Sequence, residues 1–249
     1  MEDPTFLQYG LVAAVAFLAA TVAGIAGYGT GLILPPILVP IIGAEAVVPV
    51  IGLAAVLLNG SRLIAFRDAF SPRIAALILI PAVPFCALGA WGYTRLSGPW
   101  VTILLGAAIV VLVPLRRALR RRSGLLRGRG VLVAGAVYGL VVGGTTVSGA
   151  LLLAILLSAG LTGLAVIATD AGISVVGSVV MSAVFGVAGA LPPASIIMGL
   201  VIGAAGVPGA FVARRLAGRL SLEAHARIVD AAVIAGGLLL VWQGLLRVN

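Results

Sequence analysis

Apolar residues run along this chain in ten stretches, with polar residues gathered between them. The first half holds stretches at 6–26, 32–42, 46–66, 74–93 and 100–115, and the second at 131–142, 150–159, 162–186, 193–212 and 228–246. A helix of about 20 apolar residues, at ~1.5 Å rise each, crosses a bilayer. The stretches at 32–42, 131–142 and 150–159 are too short to cross alone as straight helices. They predict half-helices, or members of a kinked or re-entrant pair.

Two polar interruptions stand at corresponding places in the halves. The first reads Gly27-Tyr28-Gly29-Thr30-Gly31 and the second Gly143-Gly144-Thr145-Thr146-Val147-Ser148-Gly149. Irregular backbone at membrane depth is tolerated only where it is buried in protein or lines a cavity. A paired break of this kind points to a transporter's binding site. Gly24 and Gly29 match Gly139 and Gly144 at one offset; Gly43, Gly60 and Ser61 match Gly160, Gly177 and Ser178 at another, two residues longer. The expected fold is an all-α polytopic membrane protein of two inverted-topology repeats, each of about five helical segments with broken or re-entrant helices. Residues 1–115 form the first repeat, 116–130 a basic cytoplasmic linker and 131–249 the second repeat.

Charge gives the repeats their sense, because cytoplasmic loops carry the Arg excess. Arg67 and Arg73 mark one loop of the first half, while its counterpart at 187–192 has no charge. The next loop reverses the bias: Arg95 stands alone in the first half, against Arg214, Arg215, Arg219 and Arg227 in the second. The linker, with seven arginines, belongs inside. Equivalent loops then fall on opposite sides, and both termini lie outside.

Composition agrees. Hydrophobic residues make up 62% of the 249 and charged residues 9%, too little polar surface for a soluble globule. The net charge of +9 comes from arginines in loops, so membrane lipid headgroups are the expected partners and nucleic acid is not. The acidic start Met1-Glu2-Asp3-Pro4 lacks the positive region of a signal peptide, and the first stretch reads as a retained helix. A multi-pass protein of a cell membrane follows, with a bacterial inner membrane as the expected location. Homo-oligomerisation stays open.

Candidate chemistry centres on the breaks. Half-helix N-termini present unpaired N–H groups and a partial positive charge, which suits anions. Helices starting at Leu32 and Ala150 would supply them. Gly27, Gly29, Thr30, Gly31, Gly144, Thr145, Thr146, Ser148 and Gly149 are therefore candidate substrate-binding residues; close helix packing by small residues is the competing reading. Asp170, with Thr169 beside it, lies well inside an apolar stretch and marks a functional site by default. A lone carboxyl in an apolar surround can exchange its proton, so Asp170 is the candidate proton-coupling residue. Asn59 completes the binding set from the matching helix.

Several other residues read as structural. Glu45 is expected as a helix cap or interfacial group. Arg62 is expected to snorkel to the cytoplasmic surface. Cys86 is expected as a packed thiol. His225 reads as a loop residue, since a metal needs several ligands close together. Trp91, Trp100 and Trp242 read as interfacial anchors. No metal or cofactor is expected. Catalysis is not expected either: Ser148 has no embedded His as base, and Asp170 has no evident second carboxylate.

At the two breaks the chain resembles the sulfite exporter TauE/SafE family, also called TSUP. The stretch Gly24-Ile25-Ala26-Gly27-Tyr28-Gly29-Thr30-Gly31-Leu32-Ile33-Leu34-Pro35 is similar to the family's glycine-rich turn, apolar run and Pro. Residues 143–153 with 161–171 look like the second copy. Thr30 stands where a third glycine is usual, and the second break is rich in Thr and Ser; both bear on substrate choice or pore width. The resemblance implies transport of sulfur-containing anions such as sulfite, or organosulfonates such as sulfoacetate. An anion channel and a transporter of small carboxylates stand as alternatives.

Overall fold

Helices form where the apolar stretches predict them. The computed structural model describes residues 4–26, 30–96, 128–145 and 149–216, together with positions 100, 101, 103 and 107. Eight α-helices are found among the described residues: α1 (Phe6–Ala26), α2 (Thr30–Ile42), α3 (Ala44–Phe66), α4 (Pro72–Tyr93), α5 (Arg129–Gly144), α6 (Gly149–Ser158), α7 (Leu164–Val187) and α8 (Pro193–Leu216). A single 3₁₀ turn, Arg67–Ala69, links α3 to α4. Five helices are long and apolar enough to cross a membrane: α1, α3, α4, α7 and α8. Most of the expected stretch at 100–115, all of 228–246, the linker up to Arg127, His225 and Trp242 lie outside the described residues.

Local chemistry sets the ends. Gly160 (φ 92°) and Gly189 (φ 72°) close α6 and α7 in the left-handed region. Leu161 N–H donates to Leu156 O at 3.0 Å and Ala190 N–H to Phe185 O at 2.9 Å, the back-bonds that satisfy last-turn carbonyls. Pro72 opens α4, where a missing N–H costs nothing. Pro35, Pro36 and Pro40 crowd into the 13 residues of α2, each removing a helical hydrogen bond. Glu45 is exposed in the first turn of α3 and is not a cap; Gly43 holds that position without a side-chain bond.

Two seams of backbone contact tie helices of different halves together. Gly135, Gly139 and Gly143 of α5 lie against the carbonyls of Ile78, Ala82 and Cys86 of α4. A Cβ built on Gly135 would stand 2.7 Å from Ile78 O. Gly209 of α8 lies as close to Phe17 O of α1, and Gly24 of α1 meets Ala213 of α8. Membrane helices gain their association from such close packing, since lipid offers no hydrophobic drive between them.

The helices can be set in two groups by helix direction and contact, with α3 also packing broadly on α7 between them. One holds α1, α2, α3 and α8; the other holds α5, α6, α7 and α4. Several packing pairs correspond: α1 on α8 as α5 on α4, α3 on α8 as α7 on α4, and α2 on α3 as α6 on α7; among the described residues the contact of α5 with α7 has no such counterpart between α1 and α3. Gly199 and Gly203 of α8 face Val50 and Ala54 of α3 in order, so these helices run in parallel. Cys86 and Tyr93 of α4 reach Gly177 and Phe185 of α7 in order, so these run in parallel too. Between the groups, α3 crosses α7 in the opposite sense: Gly52 meets Met181, and Arg62 meets Asp170. Among the described residues this crossing is the broad helix contact between the groups.

The directions place both short helices. The start of α1 and the end of α2 lie at one face of the bundle, and the start of α5 and the end of α6 at the other. Each pair therefore enters and leaves by the same face, from opposite sides. Arg67, Arg73, Arg129, Arg214 and Arg215 gather at the face where α3 and α8 end, while Arg95 stands at the other with Glu45 and Tyr93.

Candidate functional site

The breaks are reached from both sides by well-formed helices. Helix α2 starts at Thr30 and α6 at Gly149, so both begin earlier than the apolar pattern indicates. Thr30 and Gly31 accordingly belong to the first turn of α2, and Gly149 opens α6. Gly27, Gly29, Thr146 and Ser148 lie outside the described residues. Gly144 ends α5, where a Cβ would sit 3.6 Å from Gly89 O of α4. Thr145 is buried, and its hydroxyl donates to Val141 O one turn back at 2.8 Å. That proton is committed to the helix end and is not offered to a ligand.

The charged centre lies on the α3–α7 crossing. Arg62 donates from Nη2 to Asp170 Oδ2, with Arg62 6% and Asp170 1% exposed. This corrects two expectations. Arg62 does not snorkel to the surface, and Asp170 is not a lone carboxyl. The reason is geometric: residue 62 is on the face of α3 that meets α7, so its guanidinium finds an acid before it finds water. Asn59 lies one turn before Arg62, half-buried on the same helix.

The basic face closes over this pair. Thr169 is fully buried, and its hydroxyl oxygen accepts the Ser71 N–H at 3.1 Å, pinning the start of α4 to α7. The Phe70 ring lies on Gly172. Outside, Arg214 reaches Asp68 at 3.7 Å and stands 5.9 Å from the Phe66 ring. Such an exposed pair contributes ~0–1 kcal/mol, so the closure rests on Thr169 and Phe70.

Two open hollows lie on the far face. One, of about 460 Å³, is bounded by Glu45, Tyr93, Thr94, Ser195 and Pro192. The other, of about 640 Å³, is bounded by Trp91, Arg95 and Val187, with Arg95 stacked 4.9 Å over Trp91. Neither is lined by Arg62, Asp170 or a described break residue. Cys86 is packed, its thiol directed at Gly177 O 3.6 Å away. Among the described residues no group of three or more His, Cys, Asp or Glu stands close enough to hold a metal.

Sequence reasoning found Asp170 and missed its partner. The signal was present: Arg62 is a cation inside an apolar stretch, and intramembrane charges pair with one another.

Five spanning-length helices, two returning helix pairs and a buried charge pair between packing groups define a multi-pass α-helical membrane protein. The model of the sulfite exporter TauE/SafE family matches residues 12–240, and the chain belongs to that family, which is one of transporters. No curated protein and no solved structure matches the chain.

Proposed function

We propose that the chain is a secondary transporter that exports sulfur-containing anions, such as sulfite or an organosulfonate, by alternating access. The observation that carries this reading is the matched packing of two four-helix groups around the α3–α7 crossing, with their long helices running in opposite senses. Inverted repeats around a central site are a common build of secondary transporters, whose rocking exposes that site to each side in turn. The bodies that rock are the packing groups. The sequence halves themselves cannot separate, because the glycine seams join α4 to α5 and α1 to α8.

Family membership supports a sulfur oxyanion as cargo. The breaks support it independently, with helix N-termini at α2 and α6 that suit negative charge. The five arginines at the basic face support its placement in the cytoplasm.

Counterflow tests the reading. Proteoliposomes loaded with unlabelled sulfite should take up labelled sulfite transiently above equilibrium, with saturation. A pore would equilibrate label without overshoot. Competition by sulfoacetate but not acetate would assign the sulfur oxyanion, and the reverse order would assign a carboxylate.

A further inference from the structure

Among the described residues, Arg62 is the one buried cation and Asp170 the one buried acid. They face each other at the crossing that joins the two packing groups. A buried ion pair is a poor way to hold helices together, since apolar residues of similar volume often do as well or better. This pair is also incompletely satisfied. The Arg62 Nε and the Asp170 Oδ1 are buried with no hydrogen-bond partner. One carboxylate oxygen thus engages one arm of a guanidinium built to hold two oxygens at once.

Other hydroxyls along the crossing are engaged, except that of Ser182 on α7, which is buried without a partner. The Thr145 proton goes to Val141 O and the Ser178 proton to Ser174 O, while Thr169 receives the Ser71 N–H. An oxyanion entering between the groups therefore finds its counter-charge at Arg62. The Arg62 fork, with Nε–H uncommitted, fits two oxygens of a sulfite or sulfonate. About 15 Å further along the crossing, Gly52 meets the flexible end of Met181, not backbone.

We infer that Arg62 is the cation on which the transported anion docks, and that Asp170 is its resident counter-ion, displaced when the anion arrives. This rests on the transporter reading above. Displacement leaves Asp170 without a partner. From α3 the ionisable group facing it is Arg62, now occupied. From α5 comes Tyr138, close enough to interact electrostatically with Arg62. From α4 come Arg73, exposed at the basic face, and Cys86, two turns along at Gly177; from the 3₁₀ turn come Arg67 and Asp68, both exposed to solvent. Helix α6 has none. Among the described residues no second cation is buried there, so the freed carboxylate binds one proton from the aqueous side to which the site is open. No bond to the anion is made or broken, and a monovalent anion enters with no net change of charge.

Titration calorimetry of the purified protein with sulfite and then sulfoacetate tests this, run in buffers of different ionisation heat and corrected for the ligand's own protons. Wild type should bind with uptake of about one proton per anion. Asp170→Asn should bind about tenfold tighter or more, having no internal competitor, and without proton uptake. The double variant Arg62→Met with Asp170→Leu removes both charges and should stay folded but bind neither anion. If Asp170→Asn does not fold, the double variant decides. Wild-type-like binding by the double variant, or an unchanged affinity and proton count in Asp170→Asn, overturns the inference and leaves the transporter standing. Absence of binding to wild type overturns both.

Discussion

The α4–α5 seam and the α3–α7 crossing both join two helices, and they do so by opposite means. In the seam, glycines at 135, 139 and 143 bring backbone onto backbone, so neither helix can shift without overlap. In the crossing, contact runs through side chains: Met181 on Gly52 and the Arg62–Asp170 pair. Side chains change rotamer and exchange partners where backbone cannot. The contrast separates what holds each four-helix group together from what lets one group answer the other.

Breaking the charge pair from one side gives the largest effect. Asp170→Leu alone should lower stability by about 3–5 kcal/mol, whereas the double variant with Arg62→Met should lie near wild type. Denaturant unfolding in detergent measures both, and equal losses in the two would mean that packing, not charge, sets the cost.

The seam comes next. Gly139→Ala forces a Cβ into Ala82 backbone and should cost about 1–3 kcal/mol. Gly177→Ala has 3.9 Å of clearance to Val142 and should cost nothing, or gain up to about 1 kcal/mol of helix propensity. Thermal unfolding of the two alanine variants side by side checks this; a matching loss at both would remove the distinction drawn for the seam.

Smaller effects belong to the two ends of the crossing. Thr169→Val deprives the Ser71 N–H of its acceptor and should cost about 1–2 kcal/mol, with faster proteolysis within residues 67–71. Tyr93→Phe removes the hydroxyl that donates to Ala44 O at 3.1 Å on the far face and should cost about 0.5–1.5 kcal/mol, with no change in that proteolysis. If cleavage moves equally in both, the two ends are not independent.

Hydrophobic length made the helices legible: α1 has the bounds its apolar stretch predicts, and α3, α4, α7 and α8 start within two residues of theirs. The paired breaks were legible from Gly, Thr and Ser at matching places. The Arg62–Asp170 contact was not, because it spans 108 positions and depends on which way each helix is turned about its axis. Nor was the interleaving of the halves. Chain order says that α4 precedes α5, and only the register of Gly135, Gly139 and Gly143 against Ile78, Ala82 and Cys86 makes them inseparable neighbours. The hydroxyls of Thr145 and Thr169 looked free in the sequence because composition does not record their partners: a carbonyl one turn back for Thr145, and the N–H of Ser71, 98 positions away, for Thr169.

The seams also set an order on biogenesis. A ribosome releases α1 to α4 before α5 or α8 exists, so the Phe17–Thr21 and Ile78–Cys86 surfaces first meet lipid, with no glycine face to receive them. A chain halted at its midpoint would hold two half-built seams. The α4 surface can pass from lipid to protein contact as soon as α5 emerges, whereas the α1 surface waits for α8, the last of the described helices.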